Sequence, residues 1–133
     1  MTAVILCDDV RKEITGKDIL IGVYSGTINV PAYPVVVPAS LWIELEPDAA
    51  GTILFRVRME SPSGNPPVEI NTNIEVIEKS TAVFVVTGVP LSLERDGEIV
   101  VSVAVGSEPM RTVKRKKVQR APFMQAGVQP RAN

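Results

Sequence analysis

The sequence predicts an all-β protein, a β-sandwich of eight or nine antiparallel strands. Three observations carry this. Apolar and polar side chains alternate with a period of two along most of the chain, as half-buried strands require. β-branched residues are abundant, which suits a pleated surface. Turn-forming residues break the alternating runs at short intervals. No window of comparable length gives a good 3.6-residue stripe.

The elements follow in order. A first strand over 3–8 ends at Asp8 and Asp9, and Thr15-Gly16-Lys17 separates it from a second over 18–24. A short strand over 27–30 precedes Pro31, Pro34 and Pro38, which make 31–38 an irregular crossover, because proline donates nothing to a ladder. In 39–46, Leu41, Ile43 and Leu45 point one way and Trp42, Glu44 and Glu46 the other. Pro47 to Gly51 leads into 52–60, where Ile53, Phe55, Val57 and Met59 oppose Arg56, Arg58 and Glu60. Ser61 to Asn65 and two prolines end that strand. Strand 68–78 sets Val68, Ile70, Thr72, Ile74 and Val76 against Glu69, Asn71, Asn73 and Glu75. Strand 82–93 bends near Val89-Pro90. Asp96-Gly97 reads as a type I′ hairpin turn into 98–105, and Gly106-Ser107 as a weaker turn into 109–117. One apolar face per strand favours a core between two sheets. Residues 1–118 form a single domain, and 119–133, where alternation stops, read as a flexible tail.

Composition sets the outer bounds. At 133 residues the chain is one domain, able to bury roughly 68–70 % of its unfolded surface without disulfides or metal. Its 45 % apolar and 22 % charged residues exclude wholesale disorder. Cys7 is the only cysteine, so no internal disulfide forms. The apolar run Ala3 to Leu6 is too short for a signal peptide, and no run approaches the roughly 18 residues of a membrane span. The expectation is a cytoplasmic protein with no membrane contact.

A family pattern emerges at the N-terminus. Ile5-Leu6-Cys7-Asp8 leads through a turn to Gly16-Lys17, then to Leu20-Ile21-Gly22-Val23-Tyr24 and the prolines near 31–38. Gly64 follows the Ile53 strand, and Leu91, Leu93, Gly97, Ile99 and Val101 complete the pattern. Over about residues 3–118 the chain resembles a family of small bacterial and phage proteins known only as a domain of unknown function. The resemblance implies an immunoglobulin- or C2-like sandwich and supplies no catalytic residues. Cys7 stands where that family often has a small residue, and the basic tail extends past the family body.

The chemical inventory is sparse. There is no histidine, which removes Ser-His-Asp and Cys-His machinery and the commonest zinc ligand. Gly16-Lys17 lacks the upstream glycine of a phosphate-binding loop. Asp8 and Asp9 read either as a metal or acid/base site or as strand termination and turn capping, and capping is favoured. Asp8, Asp9, Asp18, Asp48 and Asp96 fall in expected loops, but their spacing matches no dedicated calcium loop. Cys7, in an apolar strand beside two carboxylates, reads as a buried hydrophobe. No cofactor is expected, and a carboxylate-based metal-dependent enzyme ranks last.

Charge is the most unusual feature. Residues 1–110 carry 15 acidic and 7 basic side chains, while residues 111–133 carry 7 basic and none acidic. The candidate interaction residues are Arg111, Lys114, Arg115, Lys116, Lys117 and Arg120, with Trp42 as a possible interface anchor or a tryptophan beneath a loop. The cations suit protein contact or self-association, nucleic-acid binding, or protection of an edge strand. Protein contact is favoured, because no aromatic residue interleaves with them before Phe123. The function expected is a non-enzymatic binding or assembly module, with a nucleic-acid-associated protein as the alternative.

Overall fold

Alternation along each strand decides which side chains turn inward, and two apolar faces meeting make the core. The computed structural model describes residues 2–47, 50–77 and 81–121. They form nine strands: β1 (Thr2–Lys12), β2 (Asp18–Val23), β3 (Ile28–Val30), β4 (Val35–Leu45), β5 (Gly51–Glu60), β6 (Val68–Val76), β7 (Ala82–Leu93), β8 (Gly97–Val105) and β9 (Arg111–Arg120). They build two facing sheets, in the orders β2-β1-β4-β7 and β3-β9-β8-β5-β6. The protein is therefore all-β, as its patterning requires.

Leu41 and Ile43 of β4 and Leu91 and Leu93 of β7 are buried from one sheet; Phe55, Val57 and Met59 of β5 and Ile99, Val101 and Val103 of β8 are buried from the other. Phe55 meets Phe84 of β7 edge-to-face, with ring centroids 5.3 Å apart, which couples the sheets through a favourable aromatic geometry.

Several expectations need correction. Asp96-Gly97 is not a hairpin turn, because β7 and β8 lie in different sheets and the link crosses between them. Glycine is needed there for space: a Cβ on Gly97 would stand 2.7 Å from the Cβ of Pro62. The weaker signal, Gly106-Ser107, closes a true hairpin between β8 and β9. The strands are not all antiparallel, since β3 runs parallel to β9 through Ile28, Asn29 and Val30. That pairing carries β9 to Arg120, two residues into the stretch read as tail, and Ala121 N–H donates to the Val30 carbonyl at 2.8 Å. Residues 122–133 lie outside the described residues.

The segment 31–38 is not irregular throughout, because β4 begins at Val35. Pro38 is tolerated where β4 has β7 on one side only: it faces Pro90, and β1 joins from Ser40 onward. The bend in β7 is a bulge, in which Thr87 and Gly88 oppose Ser40. Gly88 takes a φ of 68°, and its N–H donates to the buried Ser40 Oγ at 3.0 Å, which in turn donates to the Asp8 carbonyl at 3.0 Å.

Strand β1 also departs from expectation, running to Lys12 with Asp8 and Asp9 inside it. Its first half pairs with β4 and its second half with β2. Trp42 lies opposite Ile5, whereas Asp18 lies opposite Lys12, about 23 Å further along a straight strand. Yet Trp42 Nε1 donates to Asp18 Oδ2 at 3.0 Å. The strand must therefore fold back near Cys7 to Asp9, laying the β1–β2 hairpin over the outer face of its own sheet.

Candidate functional site

The cations of β9 are positioned by the β8–β9 ladder. Val118, Lys116 and Lys114 lie opposite Gly97, Ile99 and Val101. Because Ile99 and Val101 face the core, the stems of Lys114 and Lys116 turn to the same side, where both residues are half-buried. Arg115 and Lys117 turn to the outer face and are exposed, as are Arg111 and Arg120. A register shift between Val101 and Ser102 gives β9 an extra residue near Val113.

The side of β9 away from β8 is covered by β3 only at Val118, Gln119 and Arg120. Among the described residues, no strand pairs with the backbone edge of 112–117. This six-residue edge carries Lys114, Arg115, Lys116 and Lys117, and no acid.

Acids from the neighbouring elements offset part of this charge. Arg115 Nη1 donates to Glu98 Oε1 at 3.0 Å. Asp96 Oδ1 accepts from the Tyr33 hydroxyl at 2.7 Å and from the Arg120 backbone N–H at 3.0 Å. The Tyr33 hydrogen bond, the Arg120 N–H and the cations of Lys117 and Arg120 hold the Asp96 carboxyl below the usual aspartate range. Tyr33 is pushed up to about 12, first by desolvation and then by its bond to Asp96. The sequence marks Asp96 only as a turn residue and loop carboxylate and singles out neither Glu98 nor Tyr33; only the tertiary structure brings the three to β9.

The remaining candidates lie apart. Trp42 is half-buried beneath the β1–β2 hairpin, on the outer face of the other sheet, so it does not join the cations. Its Asp18 partner is held below the usual carboxylate range by Lys12, whose Nζ lies 2.8 Å from Asp18 Oδ1, and by Trp42 itself. Asp9 is spent locally, accepting from Arg11 Nε at 2.9 Å. Asp8, Asp9 and Asp18 stand in strands instead of loops, and Asp48 lies outside the described residues. Among the described residues, no group of three or more Cys, Asp or Glu side chains is placed to hold a metal ion. Cys7 is fully buried, and burial raises its thiol pKa. A cleft of about 160 Å³ opens at one end of the sandwich, with apolar walls from Leu45, Ile53 and Ile74, and with Glu46, Glu108 and Arg111 among its lining. No helix of the described residues is long and apolar enough to cross a membrane.

No curated protein matches the chain. The model of a family of unknown function, DUF6941, matches residues 2–115, and the chain belongs to that family.

Proposed function

We propose that the protein is a non-enzymatic interaction module whose β9 edge takes up an acidic, extended segment of a partner protein. The observation that carries this is the backbone edge of 112–117, which no strand covers and which has four cations and no acid. An edge strand offers backbone N–H and C=O groups to an incoming strand, which then supplies affinity through main-chain hydrogen bonds. The cations oppose a neutral or basic strand and favour an acidic one, so the device that guards the edge also selects the occupant. The split of the lysines between the two faces suits a strand, whose side chains alternate, better than a nucleic-acid backbone, which asks for a single basic face. A cytoplasmic setting belongs to the same reading.

The test uses fluorescence anisotropy with a glutamate-rich peptide of strand-forming sequence and, in parallel, single-stranded and duplex DNA. The peptide is expected to bind, to weaken as salt rises, and to lose binding when Lys114, Arg115, Lys116 and Lys117 are all changed to Gln. Binding of DNA with a steep salt slope and no binding of the peptide would replace this reading with the nucleic-acid one.

A further inference from the structure

The other end of the same sheet is unguarded. Of the edge strands, β9 is cationic, β3 has three residues, β2 has six and contains Gly22 at a φ of 68°, and β7 carries the Gly88 bulge and Pro90. Strand β6 has none of these protections. It pairs with β5 in unbroken register over nine residues, from Met59 opposite Val68 to Gly51 opposite Val76, and contains no Lys, Arg, Pro or Gly. Among the described residues its outer edge is unpaired. A long, regular, unguarded edge is a template for another strand.

The sequence of β6 says which strand. Val68 to Val76 reads V-E-I-N-T-N-I-E-V, the same in both directions about Thr72. Antiparallel pairing of two copies across a two-fold axis at Thr72 sets every residue against its own kind. Val68 meets Val76 of the second copy, Ile70 meets Ile74, and Asn71 meets Asn73. The half-buried isoleucines then gain apolar cross-strand partners and the exposed amides gain hydrogen-bonding ones. We propose that β6 is a self-association surface, and that its occupant is β6 of a second copy, joining two five-stranded sheets into one of ten. This is an isologous contact and closes at the dimer.

The same symmetry sets the strength. Glu69 faces Glu75 of the second copy, twice per dimer, and like charges opposed across a ladder weaken it. Each is tempered: Arg58 Nε lies 3.4 Å from Glu69 Oε2, and the Thr52 hydroxyl donates to Glu75 Oε2 at 3.2 Å. Nine residues span about 30 Å of edge, and one sheet layer is about 10 Å thick, so the contact buries roughly 600 Å² in total, below what a tight complex needs. The dimer is therefore weak, and it tightens with salt because its charge pairs repel.

The experiment is sedimentation equilibrium on the full chain from about 10 µM to about 1 mM at low and high salt. The expected result is a monomer–dimer equilibrium that stops at two copies and strengthens with salt. Glu75→Lys turns both like-charge pairs into opposite ones and is expected to tighten the dimer about tenfold at low salt. The double variant E69K/E75K restores repulsion and reverses the gain. N71K/N73K, at exposed positions and with its fold checked by thermal melt, sets ammonium against ammonium and is expected to abolish the dimer. A monomer throughout, for both wild type and E75K, overturns the proposal, as does an E75K variant no tighter than wild type. Oligomers that grow past two copies and dissolve with salt also overturn it and assign the contact to β9 against an acidic face. None of these substitutions touches β9, so the peptide reading of that strand stands or falls separately.

Discussion

At the scale of single residues, polar side chains do the joining. Trp42 and Asp18 are the clearest pair, because their 3.0 Å bond is what shows the β1–β2 hairpin folded onto its own sheet. The Asp18 pKa is lowered by Lys12 and Trp42, so its stabilising contribution is complete above the ordinary aspartate value and is lost as pH falls through the lowered folded value. Asp18→Asn should therefore lower the urea midpoint at about pH 7, and the difference from wild type should shrink as pH falls below the ordinary aspartate range. Trp42 is the only tryptophan, so its emission reports the hairpin directly, and D18N should shift it to longer wavelength at neutral pH. A difference that persists unchanged in acid would show that the carboxylate charge plays no part.

At the scale of elements, irregularities in the strands set their course. The β7 bulge lets Ser40 satisfy both the Gly88 N–H and the Asp8 carbonyl, so one hydroxyl ties β4 to its two neighbours. Ser40→Ala leaves the Gly88 N–H and the Asp8 carbonyl, both in part-buried hydrogen bonds, without that partner, and should cost about 1 kcal/mol in chemical denaturation. Amide exchange at Gly88 should quicken by more than exchange in β5 or β8, since the loss is local to the bulge. Equal protection across both sheets would mean that the serine carries no load there.

At the scale of the whole molecule, the core joins two sheets through few large residues. Phe55 is fully buried and reaches across to Phe84, so Phe55→Ala should destabilise the protein by about 3–5 kcal/mol through lost burial and the cavity left behind. Calorimetry should show a lower midpoint with a single transition retained, as both sheets share that core. Two separate transitions would show that the sheets unfold independently. The two ends of the five-stranded sheet are chemically unlike, cationic at β9 and uncharged by any lysine or arginine at β6, and the two proposals for contact rest on that difference.

The sequence by itself determined the all-β class, the inward and outward face of each long strand, and the cationic character of residues 111–120. Those follow from local periodicity and composition: Ile53, Phe55, Val57 and Met59 must share a side whatever they pair with. It did not determine pairing. Asp96-Gly97 has the chemistry of a hairpin turn but joins two sheets, while Gly106-Ser107, a poorer match, makes the hairpin. Short turns bend a chain in much the same way in both settings, and the choice belongs to the partners waiting at either end. The same holds for the candidate site. The cations of β9 were legible as a run of letters, but which of them face outward, that Asp96 and Glu98 meet them, and that Trp42 lies elsewhere under a hairpin depended on register. Register joins residues distant in the chain, and only the tertiary structure, by burying one set of side chains against another, fixes it.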